Sequence, residues 1–378
     1  MSSFQDYLYR LFRRKTVSTA FIPEIDGLRF MAIMLVIISH VQALFLFKTN
    51  YQNPFTRGES IFNYFLHTGN SGVVLFYAIS GFVLMFPFAR HFLVDGNKVE
   101  IKKYYVRRLT RLEPPYFLAM VFLFVMKISL QGKDFSELLP HLGATLLYLH
   151  TAIYHTLSEI TPITWSLEVE IQFYLLAPFL ANIFRLSKTP RRIFLAALIL
   201  VAPFMQHLFG LSHYFFLGAM QYFFVGFMLV DLYLCGDWIK INEGIVKPLG
   251  SLLLLCLILV RPDGVWRSLL FTVLMLIFYC LVLNTECWKS LFRNKFLTSI
   301  GGMCYSIYLL HFAIISFLGT KSFAFAVADS YIATILIQII ILVPFVILIS
   351  SGYYLLVEKP CMDPEWPQKL QSGVLKRM

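Results

Sequence analysis

Ionisable side chains inside apolar runs carry most of the information in this sequence, because a charge in hydrocarbon is costly and is kept where it serves a cavity or a partner. Arg29 and His40 lie in the run DGLRFMAIMLVIISHV. Eleven residues is three helical turns plus about 20°, so the two side chains share one face, with His40 roughly 16 Å further along the axis. An imidazole with an ordinary pKa near 6.5 can accept a proton at working pH, so His40 is a candidate general base or nucleophile. In YYVRRLTRLEPPY, Arg107, Arg108 and Arg111 precede an apolar stretch, with Lys102 and Lys103 upstream. Arg107 and Arg111 face the same way if the segment is helical. A cluster of this kind satisfies topology alone, yet guanidinium groups also bind phosphate bidentately, which suits a nucleotide-bearing cofactor.

A carboxylate appears in TWSLEVEIQFY. Glu168 and Glu170 are two apart and point to nearly opposite sides of a helix. Glu170 shares its face with Ser166, Phe173 and Tyr174, and an acid in a first turn is favoured by the helix dipole. In HTGNSGVVLFYAISGF, Gly69 and Gly72 punctuate one end of an apolar run and Ser80 and Gly81 its middle, a pattern that allows close helix approach. In GGMCYSIYLLHF, His311 lies about 18 Å from the start of its run, a depth similar to that of His40, and is placed to line the same cavity.

The elements that position these residues follow from composition. With 58% apolar and 14% charged residues and a mean hydropathy of +0.71, the 378-residue chain cannot be one soluble core. Runs of about twenty apolar residues predict an all-α, polytopic transmembrane bundle. Ten spans are expected, at 28–47, 71–90, 114–130, 166–184, 193–209, 213–233, 247–260, 267–285, 299–318 and 331–357. The stretch 141–156, with His141, His150 and His155, is expected to dip in and return or to lie along the interface. Of the 32 Lys and Arg residues, 24 then fall on one side and seven on or near the other, with Arg29 within span one. The positive-inside rule makes the richer side cytoplasmic, with both termini there. Residues 1–27 are read as an N-terminal cytoplasmic segment, 28–357 as the transmembrane domain and 358–378 as a cytoplasmic tail.

That topology also accounts for the net charge of +11, which therefore does not point to nucleic acid. No cleavable signal peptide is apparent. The six cysteines are scattered without a CxxC pair, and no histidine or cysteine spacing suggests a metal. A GxxxxGK[ST] phosphate loop is not found either.

Together these segments resemble the acyltransferase 3 family of multi-span membrane acyltransferases, over most of the chain from Pro23 to Pro360. The resemblance rests first on Arg29 and His40 with ten residues between them. It rests also on Arg107, Arg108 and Arg111 followed by Pro114 and Tyr116, and on Trp165, Ser166, Leu167 and Glu170 leading into Phe173 and Tyr174. Ile79 to Phe82 and the Tyr305, Tyr308, His311 segment add to it. Cys304 stands where a serine is expected, and Glu168 beside Glu170 leaves the choice of functional carboxylate open.

The resemblance implies transfer of an acyl group, commonly acetyl, from cytoplasmic acyl-CoA to a hydroxyl of a cell-envelope or secreted carbohydrate, sometimes of a small molecule. His40 would be the essential histidine, Arg29 its motif partner, and Glu170 would orient His40 or hold the sugar hydroxyl. Arg107, Arg108 and Arg111 would hold the CoA phosphates, and Trp165, Ser166, Tyr174, His311 and Ser80 would line the substrate path. No metal would be needed. The protein would sit in the cell (inner) membrane as a stand-alone unit without the esterase-like domain fused to some members. A transporter or flippase of a carbohydrate or lipid-linked substrate is the alternative, and inverted repeats or paired broken helices would support it.

Overall fold

In the computed structural model, residues 7, 9–14, 21–48, 64, 66, 69–238, 242–327, 330–363 and 365–368 are described. Lys15, Arg57, Lys240, Lys369, Lys376 and Arg377, used in the topology expectation, lie outside them.

The described residues form helices joined by short connections, without a strand. They are α1 (Pro23–Lys48), α2 (Gly69–Leu93), α3 (Ile101–Gln131), α4 (Phe135–Leu146), α5 (His150–Tyr154), α6 (Trp165–Leu180), α7 (Lys188–Leu208) and α8 (Phe216–Cys235). There follow α9 (Glu243–Leu259), α10 (Val265–Asn284), α11 (Glu286–Phe292), α12 (Lys295–Gly302), α13 (Cys304–Ser322) and α14 (Tyr331–Tyr353). Among the described residues, nine helical segments are long and apolar enough to cross a bilayer, so the chain is a polytopic α-helical membrane protein. The expected span at 247–260 is the 17-residue α9, at the lower end of the crossing range. The stretch 141–156 is broken: α4 ends at Leu146, and the short α5 follows after Tyr148 takes positive φ. Neither piece is long enough to cross.

Two elements differ in extent from the sequence expectation. Helix α3 begins at Ile101, so the arginine segment and the apolar run are one helix through Pro114 and Pro115. Pro114 cannot donate to the carbonyl of Thr110, and in lipid such a group needs another donor. The indole Nε1 of Trp366 supplies it at 2.9 Å. The run 299–318 is interrupted at Met303, between α12 and α13.

α1 is the spine, packing on α2, α12, α13 and α14. Because lipid tails give helices no hydrophobic drive to associate, close backbone approach at small residues does the work. Gly72 sits against the Ala32 carbonyl of α1, while Gly81 and Gly226 interlock α2 with α8: a Cβ on Gly226 would lie 2.3 Å from the Ala78 carbonyl oxygen. The buried charge of α8 is paired. Asp231 in α8 is fully buried and accepts from Arg191 Nε at 2.6 Å and Arg192 Nε at 2.5 Å.

Candidate active site

Two adjoining cavities lie inside the bundle, and nearly all of the singled-out residues line one or the other. The first is an arginine chamber. Arg29 of α1 reaches it paired with Asp26, Nη1 to Oδ1 2.5 Å. Arg108 and Arg111 of α3 face the same space, whereas Arg107 is solvent-exposed. The chamber thus meets α3 on the azimuth shared by residues three apart, one step round from the 107 and 111 face expected from sequence. Arg108 lies over the rings of Tyr104 and Tyr174, its guanidinium carbon 5.7 and 5.6 Å from their centroids, a cation–π arrangement. The Nε of Arg111 is buried without a hydrogen-bond partner.

α6 contributes a stripe at four-residue spacing: Ser166, Glu170 and Tyr174 all line this chamber. Ser80 of α2 donates to Glu170 Oε1 at 2.5 Å. Glu168 turns away, is buried, and accepts the backbone N–H of Thr151 at 3.0 Å, tying α6 to α5. The two acids that sequence left undivided therefore differ in placement: Glu168 holds a helix junction and Glu170 faces the cavity.

The second is a histidine chamber, lined by His40, Ser39, Trp165, His213 and Tyr214 among others. Trp165 meets His213 and Tyr214 edge-on, with centroids 5.5 and 5.3 Å apart. The chambers share Val73 and Tyr308 as lining residues. Tyr308 Oη donates to the Ile163 carbonyl at 2.5 Å. Its single proton being so used, Ser166 Oγ is the donor in their mutual hydrogen bond.

His40 does not stand alone. His311 Nε2 is 3.0 Å from His40 Nδ1, and His311 Nδ1 is 2.7 Å from the Tyr308 carbonyl and 3.1 Å from that of Ile307. Carbonyl oxygens only accept, so the His311 proton is on Nδ1 and its neutral Nε2 is an acceptor. His40 must then donate from Nδ1. The geometry assigns His40 the tautomer whose Nε2 keeps its lone pair, the state required of a base or nucleophile.

Sequence reading missed several residues here. Asp26 could have been found from its i,i+3 spacing to Arg29. Glu358, whose Oε2 accepts from the Ser306 backbone N–H at 3.0 Å and its Oγ at 2.5 Å, gives only the weak signal of an acid closing an apolar run. Arg14, His213 and Tyr214 also line the chambers and carried no pattern of their own. Outside both cavities, His141 Nδ1 and His150 Nε2 form a second pair at 2.9 Å. Among the described residues, no group of three or more His, Cys, Asp or Glu side chains is placed to hold a metal.

A helical membrane bundle with guanidinium groups at one internal cavity and an oriented imidazole at the next is an arrangement suited to moving a group between two substrates. The profile of the acyltransferase domain, Acyl_transf_3, matches residues 22–354, and the chain belongs to this family. It is 25% identical over 329 residues to a provisionally named O-acetyltransferase of Staphylococcus aureus (strain COL), covering 79% of this chain and 51% of that protein. Similarity extends to the O-acetyltransferase OatA of S. aureus (strain NCTC 8325 / PS 47), 24% identical over 65% of this chain and 35% of that one. The peptidoglycan O-acetyltransferase OatA of Listeria monocytogenes is 24% identical over 47% of this chain and 27% of its own length. The chain spans about half the length of the first of these curated relatives. The comparison with solved structures finds no match.

Proposed function

We propose that this protein is a membrane O-acyltransferase that moves an acyl group, commonly acetyl, from acyl-CoA to a hydroxyl of a cell-envelope or secreted carbohydrate. The observation that carries this reading is the hydrogen-bonded chain from the Tyr308 carbonyl through His311 to His40, which presents a basic ring nitrogen one cavity away from a cluster of arginines. The names of the relatives support the acetyl group, and a peptidoglycan-like glycan is the acceptor class one of them suggests.

The donor's phosphates bind at Arg108, Arg111 and Arg29, reached from the cytoplasmic side of the inner membrane. Its thioester arm extends past Val73 and Tyr308 toward His40. The acceptor occupies the histidine chamber, where Trp165 and Tyr214 offer apolar ring faces to a sugar. In direct transfer, the acceptor oxygen attacks the thioester carbonyl carbon as its proton passes to His40 Nε2. The carbon–sulfur bond then breaks, and the proton goes on to the leaving thiolate. In the two-step variant, His40 Nε2 attacks the carbonyl carbon first and CoA leaves as the thiolate; the acceptor hydroxyl then takes the acyl group from the imidazole, and its proton goes to the thiolate. His311 holds the tautomer in both.

The test is transfer of radiolabelled acetyl from acetyl-CoA to glycan acceptors by the purified protein in lipid. His40→Ala is expected to abolish transfer while CoA binding persists. Full transfer by that variant would remove His40 as catalyst, and acceptor movement across the bilayer without acylation would establish a carrier instead.

A further inference from the structure

One cation of the arginine chamber comes from outside the helical bundle. The N-terminal arm, residues 9–14, lies across the end of the bundle, where Lys359 Nζ donates to the Leu11 carbonyl at 2.5 Å and Tyr354 Oη to the Arg13 carbonyl at 3.4 Å. The ring of Phe12 packs on Tyr354 with centroids 6.3 Å apart. Gly302 admits the arm, since a Cβ there would lie 3.2 Å from the Phe12 carbonyl oxygen. Every one of these contacts uses backbone or an aromatic ring. None needs a charge at position 14.

Yet Arg14 turns into the chamber beside Arg29 and Arg111, and its Nε is buried with no partner. Burial and the neighbouring Arg111 and Arg29 push it well below the ordinary arginine value, the direction expected of a guanidinium desolvated among like charges. The carboxylates nearby are engaged elsewhere: Asp26 by Arg29, Glu358 by Ser306 and Glu170 by Ser80. Two buried guanidinium Nε groups, those of Arg14 and Arg111, therefore lack an acceptor in one cavity. Leaving such donors unmade is expensive, and a multivalent anion would satisfy both.

We propose that Arg14 is a donor-binding residue, closing with Arg111 on a phosphate of the nucleotide-bearing thioester, so that the N-terminal arm is part of the active site. This rests on the acyl-CoA reading above.

The experiment compares acetyl-CoA with acetyl-pantetheine, which has the thioester but no phosphate, in the full chain reconstituted in lipid. Arg14→Gln is expected to raise the KM for acetyl-CoA about tenfold, the loss of roughly 1.4 kcal/mol of binding, and to leave the KM for acetyl-pantetheine where it is. Arg14→Lys should recover part of the loss. Lys359→Met, which loosens the arm without touching the chamber, should move the acetyl-CoA KM the same way by less. The rise in melting temperature on adding CoA should shrink in Arg14→Gln, a readout independent of turnover. An unchanged acetyl-CoA KM in Arg14→Gln, or an equal rise for both donors, overturns the proposal while leaving the donor reading in place. A wild-type protein that does not prefer acetyl-CoA to acetyl-pantetheine overturns both.

Discussion

His311 Nε2 stands 3.0 Å from His40 Nδ1, although 271 residues separate the two in the chain. The contact joins the spine helix α1 to α13. One buried imidazole, itself fixed by two backbone carbonyls, thus offers an acceptor to the Nδ1 proton of the other, alongside a backbone hydrogen bond to Val36.

Replacing His311 by Phe keeps a ring of similar size and removes the side-chain acceptor for the His40 proton on Nδ1. The turnover number is expected to fall by roughly 10²-fold, within the range associated with acid–base groups, with the donor KM little changed. Steady-state acetyl transfer measures this. Wild-type turnover in the variant would show that His40 needs no such partner.

Arg111 and Arg107 are a built-in comparison on one helix. Arg111 faces the chamber with an unpartnered Nε, and Arg107 faces out. Arg111→Ala should raise the donor KM at least about tenfold, since a hydrogen bond to a charged group is worth about 1.5–3 kcal/mol, while Arg107→Ala should stay within about twofold. CoA binding by calorimetry distinguishes them, and equal losses would contradict the placement of α3.

Gly226→Val tests the interlock of α2 with α8. The added Cβ would meet the Ala78 carbonyl oxygen and the Phe82 nitrogen, both at 2.3 Å, and backbone atoms cannot swing aside as a side chain would. The expected cost exceeds about 3 kcal/mol, beyond ordinary overpacking, and should appear as loss of monodisperse protein in detergent. By contrast, Gly143→Ala, with open space around its Cβ position, should melt as the wild type does.

His150 gives a pH dependence. Its Nδ1 donates to the Thr156 carbonyl at 3.2 Å, so its Nε2 accepts from His141. Burial, the largest cause, pushes it below the ordinary histidine value. The unfolded chain then takes up this proton at higher pH than the folded one. Stability is full above the ordinary value of about 6.5 and falls as pH drops toward the depressed folded value. Melting temperatures measured from pH 8 down to pH 5 should show this decline, to which His213, likewise pushed down by burial, contributes, and His150→Phe should make it shallower. An identical slope in the variant would place the titration elsewhere.

Lipid as solvent makes the gross architecture legible from sequence. Runs of apolar residues near twenty long must be helices, because a backbone in hydrocarbon has to pair its own N–H and C=O groups, and nine of the ten expected spans overlap the nine crossing-length helical segments among the described residues. The face shared by Ser166, Glu170 and Tyr174 follows from helical spacing in the same way. What the sequence could not determine was azimuth and partnership. Arg108 rather than Arg107 joins Arg111 in the chamber because of how α3 is rotated against its neighbours, and a spacing of three or four residues reads alike until a neighbour fixes the angle. The pairing of His40 with His311, the different duties of Glu168 and Glu170, and the entry of Arg14 from a distant arm are set by side chains meeting across helices. Those meetings depend on close packing at glycines and on buried polar groups finding acceptors, and both are properties of the assembled bundle.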